Sequence, residues 1–174
     1  MEDEIAKTYA QAIYDVAKSS NKIDEIREVL NILMEKYSEE EQFRRILENP
    51  MIKISEKEEF LQKSFSFASA ESIKVIKYIV KKDRLSSVAK IKAKFLEIYY
   101  KENDKLPVTA IFAKKLSNDQ EKRLKEKLEK KYDKKVVLNL VVDKSIIGGG
   151  IIKVNDEIID GSIKNQISDM KKVF

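Results

Sequence analysis

The sequence predicts an α+β protein: an N-terminal six-helix bundle over about residues 1–103, then a small mixed α/β C-terminal domain over 104–174. Three observations carry this expectation. Residues 1–103 contain no glycine and one proline, Pro50, and their apolar residues recur at helical spacing. All four glycines, Gly148, Gly149, Gly150 and Gly161, lie in the last third of the chain. From Pro107 onward, β-branched runs alternate with helical patterns.

The helices are expected at about 4–20, 22–37, 39–48, 55–66, 70–83 and 86–103. Asn21 separates the first pair, and Glu48-Asn49-Pro50 stops the third. Ser55 with Glu58 three residues on has the form of a capping box for the fourth. Six helices on short links form a bundle. Past residue 103, Pro107 opens a strand, Val108 to Ala113, and Ser117 with Gln120 caps a helix whose apolar stripe is Leu124, Leu128 and Tyr132. Lys135 to Val142 reads as a second strand and Ile151 to Val154 as a third. Asn155-Asp156 turns the chain into Glu157-Ile158-Ile159. A last helix follows Asp160-Gly161-Ser162, with Ile163, Ile167, Met170 and Phe174 on one face.

Composition narrows the functions. The chain has no cysteine, so disulfides, thiolate nucleophiles and cysteine-bound metals are excluded, and no histidine, the commonest general base. The net charge is +5, but arginine occurs only at positions 27, 44, 45, 84 and 123, and lysine is interleaved with glutamate. A mixed, solvated surface fits this better than a phosphate-reading one, although a basic nucleic-acid-binding protein and a generic helical scaffold remain as alternatives. No stretch approaches the ~20 apolar residues of a membrane span. The start, Met1-Glu2-Asp3-Glu4, is acidic, unlike a secretory or transit signal, so a cytosolic setting is expected.

Two helices carry unusually wide apolar faces. On a wheel, Ile5, Ala6, Tyr9, Ala10, Ala12, Ile13, Tyr14, Val16 and Ala17 fill an arc of about 200°, twice what one core needs. Ile73, Val75, Ile76, Tyr78, Ile79 and Val80 cover about 220°. Either helix alone is accounted for by a central place in the bundle. The alternative is that one side packs inward while the other lines a groove for a partner's amphipathic helix.

Catalytic motifs fail on inspection. Gly148-Gly149-Gly150 lacks the Gly-Lys-Ser/Thr ending and following helix of a phosphate loop, and reads instead as a bulge or close backbone approach. Asp143, Asp156 and Asp160 sit beside turns, where aspartate bonds its own backbone, and lack calcium-loop spacing. No serine lies in a nucleophile elbow.

Ile5-Ala6-Lys7-Thr8-Tyr9-Ala10-Gln11-Ala12-Ile13-Tyr14 resembles the "Tyr-Ala-x-Ala-Φ-Φ" opening of the delta subunit of F-type ATP synthase, whose mitochondrial counterpart is the oligomycin-sensitivity conferral protein. Leu47, Asn49 and Pro50 fit that family's Leu-x-Asn-Pro, and Arg84-Leu85 its Arg-Leu turn. Leu116-Ser117 with Gln120, Asp143 with Ile147-Gly148-Gly149, and Ile159-Asp160-Gly161-Ser162-Ile163 fit its later motifs. Departures are Thr8 before the tyrosine, Asp83 where glycine is common, and Lys164, Asn165 and Gln166 in place of arginines.

The resemblance implies a non-catalytic stator component of a proton-translocating ATP synthase, linking catalytic head to peripheral stalk. It implies no active site, cofactor, metal or small-molecule substrate. The helical domain would bind the N-terminal helix of an alpha subunit in a groove between the first and fifth helices, with Ile5, Tyr9, Ala12, Ile13, Ile76, Tyr78 and Ile79 as groove candidates. The smaller domain would meet b-type stalk subunits. Neither nucleic acid nor direct membrane insertion is expected. The place implied is peripheral, on the cytoplasmic side of a bacterial inner membrane.

Overall fold

The computed structural model describes residues 2–165 and Ile167. Its order is α1 (Glu2–Ser19), α2 (Ile23–Glu39), α3 (Glu41–Glu48), α4 (Ile54–Ser64), α5 (Ala70–Lys81), a 3-10 turn at Leu85–Ser87, and α6 (Val88–Glu102). Then come β1 (Lys105–Phe112), α7 (Asn118–Tyr132), β2 (Lys135–Val142), β3 (Gly150–Val154) and β4 (Glu157–Asp160). This is an α+β chain with one mixed sheet. It divides into two compact units, residues 1–99 and 100–174, with the division inside the last turn of α6.

Short polar residues stop the helices where the chain must turn left-handed. Asn21 (φ 55°) follows α1 and Asp83 (φ 53°) follows α5, and Asn and Asp bear that conformation better than other side chains. The start of α4 differs from the sequence expectation. The helix begins at Ile54, because the Glu56 carboxylate reaches back to accept from the Lys53 N–H at 3.3 Å. Ser55 thus lies inside the first turn and caps nothing.

Within residues 1–99, α2 packs against α1, α3 and α5, while α5 also meets α1 and α4. The centre is filled by Ile26, Leu30, Leu33, Leu61, Phe65, Ile76, Ile79, Ile91 and Phe95, all fully buried. Removing a side chain of this size from water is worth about 1.5–3 kcal/mol. Ala6, Ala10 and Ala17 are fully buried on the inner face of α1, beside Ile13 and Tyr14.

One polar cluster ties α2 to the start of α5. The Glu25 carboxylate accepts from the Ser69 N–H (2.7 Å) and from the fully buried Ser72 hydroxyl (2.8 Å). Ser69 is itself the N-cap of α5. The serine hydrogen bonds, more than neighbouring Lys22, pull the Glu25 pKa down to about 2.

Within residues 100–174 the strand order is β2-β1-β3-β4, with β1 parallel to β2 and every other pair antiparallel. The parallel pair is joined by α7, as a βαβ unit requires. Leu106, Val108, Leu128, Val136 and Val154 form the core beneath α7, flanked by Leu124, Tyr132, Leu138 and Ile152. The capping box at Ser117 is present, with Gln120 Oε1 accepting from the Ser117 N–H at 2.9 Å. Pro107 does not open β1 but sits third within it. It lies one residue beyond the β1–β3 ladder, which starts at Val108, so the strand has a neighbour on one side only and a missing donor is tolerated there. Of the expected last helix, residues 163–165 are helical, and Met170 and Phe174 lie outside the described residues.

Candidate functional site

The sequence motif with the most catalytic appearance has a packing explanation. Gly149 is at φ 79°, and a Cβ placed on it would stand 2.2 Å from the Gly161 carbonyl oxygen. The Gly161 N–H donates to the Gly150 carbonyl (2.9 Å) and the Ile163 N–H to the Gly148 carbonyl (3.0 Å). The three glycines are therefore a seat for the Asp160-Gly161-Ser162 turn. Asp143 and Asp160 each accept the backbone N–H two residues on, from Ser145 and Ser162, both at 2.9 Å. Those serine contacts lower both carboxyl pKa values. Among the described residues there is no group of three or more carboxylates placed to hold a metal ion.

The feature that stands out is on α1 and α5. Ala12, Ile13, Val16, Lys74, Val75 and Tyr78 line an open depression of about 350 Å³. The Tyr9 ring packs against that of Tyr78, 5.7 Å between centres. Lys82 Nζ lies 5.7 Å from the centre of the same Tyr78 ring. Tyr9 meets Tyr78 while Val16 shares the depression with Lys74, so the two helices run antiparallel. The lined stretch, Ala12 to Val16 on α1 and Lys74 to Tyr78 on α5, is little more than one helical turn, about 6 Å.

The structure sorts the seven groove candidates. Ala12 and Tyr78 are exposed, the latter at 46%, and Ile5 and Tyr9 are half-buried. Ile13 is buried at the floor of the depression, at 4% exposure. Ile76 and Ile79 have no exposed surface and belong to the core, so they are absent from the lining. Their places are taken by Val16, 44% exposed, and by Val75. Both were on the sequence wheel but not among the candidates. Their spacing gives the signal that finds them: Ala12 and Val16 are one turn apart, as are Val75 and Tyr78.

No helix among the described residues is long and apolar enough to cross a membrane. The chain thus combines a helical unit bearing an exposed apolar depression with a small mixed α/β unit. The profile of the family described as ATP synthase delta (OSCP) subunit matches residues 5–174, and the chain belongs to that family. It is 44% identical to the sodium-ion-specific ATP synthase subunit delta of Propionigenium modestum, over 99% of both chains. Identity is 42% to the corresponding protein of Ilyobacter tartaricus and 36% to ATP synthase subunit delta of Fusobacterium nucleatum, again over 99% of each. A chain in the cryo-EM structure of the Toxoplasma gondii mitochondrial ATP synthase hexamer shares the fold, with a TM-score of 0.72 at 16% identity over 96% of this chain and 95% of that one. The protein is thus a structural, non-catalytic subunit of a membrane-associated ATP synthase, a stator component linking head to peripheral stalk.

Proposed function

We propose that the α1/α5 depression holds the N-terminal helix of an alpha subunit of the catalytic head, and that the unit formed by β1–β4 and α7 meets the b-type subunits of the stalk. In this reading the six helices of residues 1–103 act as one bundle and residues 104–174 as a second domain. The complex sits with this subunit on the cytoplasmic side of the membrane. The observation that carries the reading is the depression itself: an uncovered apolar surface on the two helices whose faces are too wide for one core.

The physical task is attachment. A rotary synthase develops torque between rotor and head, and the head turns uselessly unless tethered. Nanomolar attachment needs about 12 kcal/mol net. Burying about 200 Å² of apolar surface in a trough of one turn supplies roughly 5 kcal/mol before ordering costs, so flanking contacts must supply the larger share. The exposed Ala12 lets a visiting backbone approach closely, while Val16, Val75 and Tyr78 give shape to pockets for its anchors at i, i+3/i+4 and i+7.

The test is titration of the full chain with the matching alpha-subunit N-terminal peptide, at low and high salt. Saturable binding that persists at high salt is expected. Lack of saturable binding, or its complete loss with salt as for a phosphate-dominated ligand, would overturn the reading.

A further inference from the structure

The sheet of residues 100–174 has one face under α7, where Leu106, Val108, Val136 and Val154 form the core. The strand residues that alternate with these point to the opposite face. There the ladder sets Pro107 beside Val137 at one end, and Val141, Ile111 and Ile151 in one row at the other. Ile158, on the edge strand β4, adds a further apolar side chain. Pro107, Val137, Val141 and Ile158 are exposed, and Ile111 and Ile151 are half-buried. Between the apolar ends runs a polar row, Asn139, Thr109 and Lys153. The charged strand residues of this face are Lys105, Lys135, Lys153 and Asp160. Lys105 and Lys135 are register partners, so two like charges stand side by side. Lys153 is exposed, with Thr109 and Ile158 as its register partners. Among the described residues no carboxylate lies within ion-pair distance of it. Asp160 already accepts the Ser162 N–H. The face is apolar with a basic surplus.

We infer that this face, rather than the outer side of α7, receives the b-type partner, as one amphipathic helix lying along β1 and β2 with acidic residues beside its apolar stripe. The inference deepens the stalk half of the reading above and rests on it. Four residues separate Pro107 from Ile111 and Val137 from Val141, roughly 13 Å of strand. On a helix, position i shares a face with i+7 and i+8, about 10–12 Å away. Apolar side chains at that spacing reach both ends of the patch at once. Positions i+3 and i+4 fall over Thr109 and Asn139, where small or polar side chains fit. Carboxylates next to the stripe then meet Lys153 on one flank and the Lys105–Lys135 pair at the end. The outer side of α7 has no such stripe. Its Leu124, Leu128 and Tyr132 pack against the sheet, and its exposed residues include Lys122, Arg123, Lys125 and Glu126. A second copy of this chain brings the same basic surplus, so like charges oppose its docking.

The experiment titrates the full chain with the soluble part of the b-type subunits, at low and high salt. Val141→Asp, at an exposed position, is expected to weaken binding at least about tenfold at both salts. Lys153→Glu is expected to weaken it about tenfold at low salt and much less at high salt. Lys122→Glu/Lys125→Glu, on the outer side of α7, is the charge control and is expected to change affinity by less than about threefold. Thermal melts of each variant check the fold, and Lys153→Glu carries the test by itself if Val141→Asp melts early. Unchanged binding by both face variants, or loss confined to the α7 variant, would overturn the inference and leave the stalk reading standing. Self-association of the chain alone that Val141→Asp abolishes, with b-type binding unchanged, would assign the face to a second copy and overturn it equally. Failure of the unaltered chain to bind the b-type subunits would remove both readings.

Discussion

At the scale of single residues, two positions hold the backbone in arrangements with few substitutes. Gly149→Ala asks an L-residue to keep φ 79° with its Cβ 2.2 Å from a backbone oxygen that cannot swing away. A loss of about 2–4 kcal/mol in urea-unfolding stability is expected, mainly from residues 100–174. Glu25 sets a pH dependence. Its pKa is about 2 in the folded chain against an ordinary 4.5, so its stabilising contribution is complete above pH 4.5 and is lost as pH falls toward 2. Because the side chain keeps 37% of its surface in water, screening trims the effect to about 1–2 kcal/mol. Glu25→Gln is expected to lower stability at pH 7 and to converge on the unaltered chain near pH 2 in denaturant titrations. Neither position was fully legible in the sequence. The glycine run read correctly as a close approach, but what approaches it, the Gly161 carbonyl, is 12 residues away along the chain. Glu25 was one carboxylate among many, and only the fold brings it to Ser69, 44 residues on.

At the scale of the element, helical spacing gave α1 to α7 within a few residues, and the β-branched run gave β2 with the bounds observed. Periodicity reads well because each apolar stripe must meet a core somewhere. It reads less well at ends, where Glu56 rather than Ser55 and Glu58 organises the start of α4. It cannot sort a wide apolar face into inward and outward halves. On α5, Ile76 and Tyr78 both lie on the apolar arc, yet one is fully buried and the other 46% exposed, since α1, α2 and α4 decide which half is covered. This division makes a paired prediction. Ile76→Ala is expected to cost about 2–4 kcal/mol of stability by leaving a cavity. Val16→Glu is expected to leave the melting temperature within a few degrees but to weaken alpha-peptide binding at least tenfold, by placing a charge on the trough. Thermal melts and peptide titration on both variants check the pair.

At the scale of the whole molecule, charge is unevenly shared. Residues 1–99 hold 18 basic and 18 acidic side chains, whereas residues 100–174 hold 17 against 12, so the net +5 belongs to the second unit. If that unit meets the stalk, its partner surface is expected to be acidic and its attachment the more sensitive to salt. Binding of the soluble part of the b-type subunits should fall more steeply between 50 and 500 mM salt (order-of-magnitude conditions, about one decade apart) than binding of the alpha peptide does. The total charge was visible in the sequence, but its meaning was not, because lysine on a solvated face and lysine on a docking face look alike until the fold shows which lysines already have carboxylates.

The central claim is that the trough between α1 and α5 is where the catalytic head is held. The measurement that reaches it most directly is photo-crosslinking from position 16 within the assembled synthase, with a photoreactive residue in place of Val16 and a control at exposed Met51 on the α3–α4 loop. An adduct from position 16 to the first residues of one alpha subunit, absent from position 51, is the predicted result. Adducts from position 16 to some other subunit, or none at all in intact complex, would contradict it.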